Sequence, residues 1–193
     1  MSTKLILASS SPYRKALLGR LHLDFDCYSP DIDETRLDNE AASDYVRRLA
    51  EQKALALGDR FTDAVIIGSD QCALLDDRIL GKPGNYENAL KQLKAAQGKT
   101  IVFHTGVCVL HAANGFKQVD DIIYSVEFRH LSDQQLSHYL QVEQPYQCAG
   151  SIQSEGYGAC LFSKMYGDDP TALVGLPLIR LIAMLESAGI AIV

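Results

Sequence analysis

The sequence has no apolar run long enough to span a membrane and no excess of basic residues. Its 18 lysines and arginines are outnumbered by 24 aspartates and glutamates, so the formal net charge at pH 7 is −6. General nucleic-acid binders are normally basic, and nucleic acid is therefore not expected as a partner. The first residues lack the apolar region and cleavage site of a signal peptide, so we expect a cytoplasmic protein that does not bind membranes.

The sequence also lacks the motifs of several common catalytic and metal sites. Its five cysteines form no C-x-x-C pair, which argues against a zinc site and predicts buried free thiols. No G-x-G-x-x-G, H-E-x-x-H or G-x-S-x-G occurs, and "GKP" at 81–83 lacks the Ser or Thr of a Walker A motif. A plain Rossmann fold and a P-loop enzyme are therefore not predicted, and the five histidines are interpreted as structural or exposed.

What the sequence does contain is an early alternation of predicted strands and helices, within 193 residues that suffice for one domain with a core. Strands are predicted at 4–8, 24–30, 64–68, 100–111 and 116–129, with a tight turn at 76–77. The predicted helix N-caps are Ser11, Ser43, Asn85 and Ser132, and an apolar helix follows near 176–187. Because a long hairpin follows the alternation, we predict an α/β fold with a mixed parallel and antiparallel sheet.

The stretch "LILASSSPYRKALL", residues 5–18, places three serines and an arginine between two apolar segments. Ser11 suits a helix N-cap and Pro12 the first helical position, so the serines could serve only to shape a turn. A helix N-terminus also presents free N–H groups and a positive dipole end, which suit an anion. Arg14 in the first turn can add a bidentate contact to phosphate. From this stretch alone, both interpretations are open.

Carboxylates follow two of the predicted strands. Asp31, Asp33 and Glu34 are either solvated loop acids or, together, ligands for a hard cation such as Mg²⁺. Asp70 comes directly after the apolar strand 64–68, at the end of a strand where α/β sheets bind ligands. It either caps the next turn or takes part in catalysis, and the small residues before it favour catalysis because they let a ligand approach.

Two lysines could complete a site for an anionic substrate. Lys53 lies on a predicted helix and Lys82 in "GKPGN", and each alone is most often a surface lysine. If they converge with Ser9, Arg14 and the acids, they supply charge neutralisation, a metal site and an oriented water, which attack on a phosphoanhydride requires. Glu155, in the small-residue loop "CAGSIQSEGYG", could contact the edge of a base.

Seven segments occur in the order found in the Maf family of nucleotide pyrophosphatases, which the chain resembles over nearly its whole length. They are "LILASSSPYRKALL", "DIDE", "EQKA", "IIGSDQ", "GKP", "HTG" and "AGSIQSEGYG", and "LVGLPL" follows them. The resemblance implies that residues 1–193 form a single Maf-like domain of the Maf/inosine-triphosphatase type, with two lobes around a deep active-site cleft. It also implies hydrolysis of nucleoside triphosphates to monophosphate and pyrophosphate with a divalent cation, Mg²⁺ or Mn²⁺.

The resemblance further implies roles for the polar clusters. Asp70 resembles the general base that activates water, and Glu34 resembles an acid of the metal or phosphate site, so these two carboxylates are expected to hold the metal. The residues that resemble the triphosphate-binding set are Ser9, Arg14, Lys53 and Lys82.

Residues at three positions divide the family by base. One branch prefers dTTP and UTP and has arginine, threonine and glutamine there, whereas the other hydrolyses 7-methyl-GTP and has an aromatic residue, glutamine and glutamate. This chain has Tyr13, Gln71 and Glu155 and resembles the second branch, with tyrosine in place of that branch's tryptophan. The chemistry agrees, because N7 methylation makes guanine cationic, a cation stacks well on an aromatic face, and a carboxylate accepts the guanine N1–H and amino protons.

Other functions stay open at this point. The chain could be a pyrophosphatase that prefers dTTP and UTP, or an enzyme of the same fold specific for inosine or xanthosine triphosphate. Since Maf proteins are also associated with septation, it could instead be a non-catalytic regulator that binds a nucleotide. Asp70 favours catalysis, because a carboxylate beside phosphates gives a pure binder no advantage. The edge of the long hairpin could pair across a two-fold axis, so a homodimer is a further hypothesis.

Overall fold

The computed structural model describes residues 3–192, which build a seven-stranded sheet with helices on both faces. The strands are β1 (Lys4–Ala8), β2 (Phe25–Cys27), β3 (Ala64–Leu75), β4 (Arg78–Leu80), β5 (Thr100–His111), β6 (Phe116–Phe128) and β7 (Phe162–Gly167). The helices are α1 (Pro12–Gly19), α2 (Ala42–Gly58), α3 (Tyr86–Ala96), α4 (Asp133–Glu143) and α5 (Leu178–Ser187), with 3₁₀ turns at Ala149–Ser151, Tyr157–Leu161 and Pro170–Val174. Over these residues, no helix combines the length and the apolar character needed to cross a membrane.

The sheet is mixed, as the sequence predicts. Its strand order is β2-β1-β3-β5-β6-β7, and β4 forms a hairpin with the end of β3. β1 pairs in parallel with β2 and β3, whereas the pairs β3–β5, β5–β6 and β6–β7 are antiparallel. The α/β class is thereby confirmed. The single domain and its two lobes stay predictions, and Met1, Ser2 and Val193 lie outside the described residues.

The two faces of the sheet pack against different helices because side chains alternate along a strand. In β3, Ile66 packs with Ala50 of α2, while Ile67 packs with Leu181 of α5 on the opposite face. Helix α2 lies especially close to the sheet at Gly68, where a Cβ atom would collide with backbone atoms of α2. This close approach brings the polar side chains of α2 next to the middle of β3.

Strand β3 is longer than the predicted 64–68. It runs to Leu75, because its ladder with β5 continues as far as Leu74 opposite Val102. Asp70 therefore lies inside the strand, opposite Gly106, and not after its end. The polar residues that suggested a strand end lie instead beside a cavity, which is described below.

The helix starts agree with the sequence except at α2. The prediction that Ser43 caps this helix is wrong, since α2 begins at Ala42 and the N-cap Ala41 makes no side-chain hydrogen bond. A carboxylate just before the helix, that of Glu40, is instead bound by Arg48 of the second turn. The predicted N-caps whose side chains accept a backbone N–H in the structure are Ser11, Asn85 and Ser132.

The hairpin edge that suggested a homodimer is half covered. Strand β7, which the sequence analysis missed, pairs with residues 124–128 of β6. Residues 116–123 of β6 have no strand on their outer side within the described chain. The homodimer stays a prediction.

The five cysteines are free, as predicted. Cys72 and Cys108 are buried, and burial raises the pKa of each to about 12. Cys27, Cys148 and Cys160 are half-buried, and burial raises their pKa values as well. All five are therefore thiols at neutral pH, which suits packing and not nucleophilic chemistry.

Candidate active site

A cavity of about 750 Å³ opens beside the middle of β3. Its walls come from the start of α1, the loop after β2, helix α2, the loop after β4 and the segment 147–155. Of the acids in "DIDE", only Glu34 reaches it, since Asp31 and Asp33 are exposed and absent from its lining. All nine site residues predicted from the sequence line this cavity: Ser9, Tyr13, Arg14, Glu34, Lys53, Asp70, Gln71, Lys82 and Glu155.

The serine-rich turn lines the cavity, and local hydrogen bonds fix its shape. The Ser9 hydroxyl oxygen accepts the backbone N–H of Ser11 at 3.1 Å, and the Ser11 hydroxyl accepts that of Arg14 at 3.4 Å. These contacts fix the N-terminus of α1, whose free N–H groups and positive dipole end suit an anion. The turn is therefore both a helix start and a candidate anion site.

Arg14 is held so that its guanidinium can face an anion. Its Nε donates to the carbonyl oxygen of Gly175 at 2.8 Å, and neither Nη atom has a partner among residues 3–192. Burial lowers the pKa of Arg14, while the negative charges of Asp70 and Glu34 act in the opposite direction. The two free Nη groups present the planar fork that binds phosphate oxygens in pairs.

Lys53 joins two carboxylates. From its buried position on α2, its Nζ lies 2.6 Å from Asp70 Oδ1 and 2.7 Å from Glu34 Oε1. Burial acts to raise the pKa of Glu34, but the hydrogen bond and charge of Lys53, with the charges of Lys82 and Arg14, lower it overall. Glu34 is thus held as a carboxylate, and one lysine nitrogen contacts both acids.

Asp70 keeps one oxygen available. Lys53 binds Oδ1, and no other residue of the described chain donates a hydrogen bond to either oxygen. The residue as a whole is 8 % exposed and lines the cavity. A mostly buried carboxylate with one oxygen anchored and one free has the geometry of a general base.

Tyr13, in the first turn of α1, and Glu155, in the segment 147–155, also line the cavity. The residue Tyr13 is 37 % exposed, and its hydroxyl donates to Gln153 Oε1 at 3.3 Å. Burial, followed by the nearby Cys148 and acidic groups, raises the pKa of Tyr13, so the ring stays uncharged at neutral pH. Glu155 is exposed and accepts a hydrogen bond from Ser154 Oγ at 3.0 Å. Tyr13 therefore offers an aromatic face to a ligand, and Glu155 offers a carboxylate.

The Gln71 side chain has a fixed orientation. Its Nε2 donates to the carbonyl oxygens of Ala172 at 2.7 Å and Leu173 at 3.0 Å and lies 3.1 Å from Thr105 Oγ1. Carbonyl oxygens only accept hydrogen bonds, so the amide nitrogen must be on that side. The amide oxygen Oε1, which has no partner within residues 3–192, is left as an acceptor for a ligand.

Lys82 differs from Lys53 in its surroundings. It lies in the loop between β4 and α3, is exposed, and forms no ion pair within the part of the chain that the structure describes. The structure thus places both lysines on one cavity, but only Lys53 contacts the carboxylates.

Sequence reasoning missed the residues that hold the Glu34 loop. Tyr45 of α2 donates from its hydroxyl to the carbonyl oxygen of Glu34 at 3.1 Å. Arg48 donates from Nε and Nη2 to the two oxygens of Glu40 at 2.6 and 2.8 Å, and from Nη2 to the Thr35 carbonyl. These two α2 residues are three positions apart, with Gln52 four further on, a spacing that places all three on one face of α2. That polar face of α2 was the sequence pattern that could have indicated these residues.

The ion pair between Arg48 and Glu40 leads to a prediction about stability. Replacing Glu40 by glutamine should lower the free energy of unfolding by about 1 kcal/mol at pH 7, because a bidentate arginine contact is lost. The hydrogen bonds of Arg48 lower the pKa of Glu40 from 4.5 to about 2. The advantage of the parent protein should therefore be complete above pH 4.5 and disappear as the pH falls towards 2. Urea unfolding of both proteins across this range measures it.

The matched control is Glu186→Gln, since Glu186 is exposed and forms no ion pair within residues 3–192. A constant difference between the parent protein and Glu40→Gln from pH 7 to pH 2 would contradict the assigned ion pair.

Comparison with known proteins identifies the family of the chain. The family model described as Maf-like protein matches residues 4–188. A 7-methyl-GTP pyrophosphatase of Nitrosococcus oceani is 54% identical over 185 residues, covering 96% of this chain and 93% of the relative. Proteins of the same name are 52% identical in Methylobacillus flagellatus, over 98% of both chains, and 50% identical in Pseudomonas aeruginosa, over 97% of this chain and 98% of the relative.

Proposed function

Because the chain belongs to the Maf family, we propose that it hydrolyses 7-methyl-GTP to 7-methyl-GMP and pyrophosphate. The chain is a nucleotide pyrophosphatase, which is a hydrolase that acts on a phosphoanhydride bond. The observation that carries this proposal is that all nine predicted residues line one cavity. They include cationic side chains, a pair of acids and an aromatic ring. A nucleoside triphosphate has complementary parts, since its phosphates are anionic and its base can stack on an aromatic ring.

The triphosphate would lie against the N-terminus of α1. Backbone N–H groups there, with the Ser9 hydroxyl and the two free Nη groups of Arg14, can bind its oxygens. Lys53 on α2 and Lys82 in the loop after β4 also line the cavity and add positive charge. This arrangement neutralises the charge that develops on the leaving pyrophosphate.

In the proposed reaction, Asp70 is the general base. Lys53 holds its Oδ1 and leaves Oδ2 to accept a proton from water. The water oxygen bonds to the α-phosphorus, the bond from that phosphorus to the bridging oxygen breaks, and pyrophosphate leaves with the electron pair. Lys53, bound to both acids, keeps Asp70 in place during this step.

The two acids bound to Lys53, Glu34 and Asp70, also fit a divalent cation. No group of three or more potential protein ligands occurs within residues 3–192, so a site made only of protein side chains is not offered. Mg²⁺ is commonly held by one or two carboxylates together with substrate phosphates, and Glu34 and Asp70 are such a pair. An ion held by them, Mg²⁺ or Mn²⁺, would supply further charge neutralisation at the phosphates.

The base would lie between Tyr13 and Glu155. A 7-methylguanine ring is cationic, so its stacking on an uncharged tyrosine is favourable. The Glu155 carboxylate and the free Gln71 Oε1 are acceptors, and guanine presents N1–H and amino donors. Glutamine in place of Glu155 would match the mixed donors and acceptors of a pyrimidine better.

The experiment that tests the proposal is pyrophosphate release from 7-methyl-GTP, GTP, dTTP, UTP, CTP and ITP, with Mg²⁺ or Mn²⁺. Strong preference for 7-methyl-GTP is expected. Preference for dTTP and UTP, or for ITP, would keep the phosphate end but overturn the base assignment. Binding without release from any nucleotide would favour the non-catalytic regulator.

A substitution at the base end gives a sharper test. Glu155→Gln should reduce the ratio of kcat/KM for 7-methyl-GTP over GTP by about tenfold, because a charge-assisted acceptor facing a cationic base becomes neutral. Glu87→Gln, at an exposed position of α3 outside the cavity, is the matched control. An unchanged ratio in Glu155→Gln would remove Glu155 from the base site.

A further inference from the structure

Backbone carbonyls of residues 172–175 accept hydrogen bonds from two side chains that line the cavity, Arg14 and Gln71. The Gly175 carbonyl oxygen accepts from Arg14 Nε at 2.8 Å and from Ser69 Oγ at 2.9 Å. The Ala172 carbonyl oxygen accepts from Gln71 Nε2 at 2.7 Å and from Thr105 Oγ1 at 2.9 Å. One short segment, called here the carbonyl segment (172–175), thus fixes a residue of the phosphate end and a residue of the base end.

The carbonyl segment is anchored by a buried carboxylate. Asp169 is 2 % exposed, and its Oδ1 accepts from the Thr171 N–H at 2.9 Å and the Thr171 hydroxyl at 2.6 Å. Its Oδ2 accepts from the N–H of Ile179 at 2.8 Å. The Thr171 hydroxyl oxygen also accepts from the N–H of Leu178 at 2.8 Å. Asp169 and Thr171 therefore join the start of the carbonyl segment to the N-terminus of α5.

The buried carboxylate of Asp169 is fully engaged in hydrogen bonds. A buried carboxylate is costly unless hydrogen bonds compensate for its lost hydration, and here three donors do so. The segment ends at Gly175, whose φ of +107° is readily adopted only by glycine. With both of its ends fixed, the segment can hold its carbonyl oxygens at constant positions.

The fixed carbonyl oxygens determine which atoms of Arg14 and Gln71 remain free to bind a ligand. Because Nε of Arg14 is bound to Gly175, its two Nη groups are the donors left for an anion in the cavity. Because Nε2 of Gln71 is bound to Ala172 and Leu173, its Oε1 is the atom left for the base. A shift of the segment would disturb both orientations at once.

We propose that Asp169 and Thr171 are positioning residues that orient Arg14 and Gln71 together through the carbonyl segment. Phosphate binding and base discrimination then depend on the same buried anchor, although neither residue touches the substrate. The proposal rests on the proposed function for its assignment of the two cavity ends.

The test uses Thr171→Val, which keeps the shape of the side chain but removes the hydroxyl. Two readouts are compared with the parent protein: the Kd for inorganic tripolyphosphate by calorimetry, and the ratio of kcat/KM for 7-methyl-GTP over GTP. We expect tripolyphosphate to bind about tenfold more weakly and the ratio to fall about tenfold, since each end loses a fixed orientation. Thr171→Ser keeps the hydroxyl and should restore both.

The controls separate this effect from general destabilisation. Ser187→Ala removes a hydroxyl of the same helix α5 that donates to Ala183, away from the cavity, and should leave both readouts unchanged. If Thr171→Val does not fold, Asp169→Asn serves instead. It keeps an acceptor for Thr171 but places an amide N–H against that of Ile179, and the same two changes are expected.

The outcomes distinguish the two proposals. A change in only one readout, or in neither, overturns the shared anchor while the proposed function stands. Absence of pyrophosphate release from the parent protein overturns the proposed function, and the ratio of Kd values for the two nucleotides then replaces the kinetic ratio as the test of the anchor.

Discussion

Replacing Asp70 by asparagine should lower kcat for 7-methyl-GTP by about 10³-fold while nucleotide binding persists. Asparagine has the same shape, and its amide oxygen can still accept the hydrogen bond from Lys53 Nζ. Its other terminal atom is an amide nitrogen, which cannot take a proton from water. A positioned general base contributes about 10² to 10⁴ in rate, so most of this contribution should be lost.

Binding gives the second half of this prediction. Removing a negative charge beside a polyphosphate reduces electrostatic repulsion, so the Kd for 7-methyl-GTP should be equal or lower in Asp70→Asn. Single-turnover hydrolysis and calorimetry measure the two quantities separately. Asp31→Asn is the matched control, because Asp31 is exposed and does not line the cavity. Turnover of Asp70→Asn within tenfold of the parent protein would show that Asp70 is not the base.

Features with local causes could be predicted from the sequence. The N-cap at Ser132 forms as predicted, and the side chain of Gln135 completes a capping box with it, because both partners lie within one helical turn. The tight turn at Asp76 and Asp77 is also present, and both residues adopt positive φ, which aspartate tolerates better than most residues. These contacts depend only on neighbours in the chain.

Features with distant partners could not be predicted in the same way. The polar run "SDQ" predicts the end of β3 at residue 68, yet the strand runs to Leu75 and its ladder with β5 reaches Leu74. Strand β7 has mostly exposed side chains, and its existence depends on the free edge of β6. In both cases the pairing partner is remote in sequence and leaves no local pattern.

The candidate site shows the same division. Its residues were found from short motifs in a specific order, and periodicity alone did not bring Arg14, Lys53 and Asp70 together. The carbonyl segment was missed because its contribution comes from backbone oxygens, which every residue type possesses. Only the positions of Gly175 and the buried Asp169 mark it, and their significance depends on the fold.

Lys53→Met should reduce both stability and activity. Lys53 is the only hydrogen-bond donor to Asp70 within residues 3–192, so its loss leaves a mostly buried carboxylate without a hydrogen-bonded counter-ion. Such a loss costs about 3 kcal/mol in the free energy of unfolding. The phosphate end also loses a fixed positive charge, and we expect kcat/KM to fall by about 10². Urea unfolding and pyrophosphate release measure the two effects.

The control for Lys53→Met is the other cavity lysine. Lys82 is exposed and forms no ion pair within the described chain, so Lys82→Met should change the free energy of unfolding by less than about 0.5 kcal/mol. It should still weaken substrate binding, because a positive charge is removed from the cavity. A loss of stability in Lys82→Met equal to that in Lys53→Met would mean that the ion pair with Asp70 is not the cause.

The double variant Lys53→Met/Asp70→Asn decides whether the uncompensated charge is responsible. Asp70→Asn alone should cost little stability, because Lys53 keeps its contact with Glu34. In the double variant the buried carboxylate is absent, so the protein should be more stable than Lys53→Met by about 2 kcal/mol, although it carries one more substitution. If the two effects simply add, Lys53 stabilises the fold by packing and not by its charge. Activity should not recover in either case, because the general base is missing.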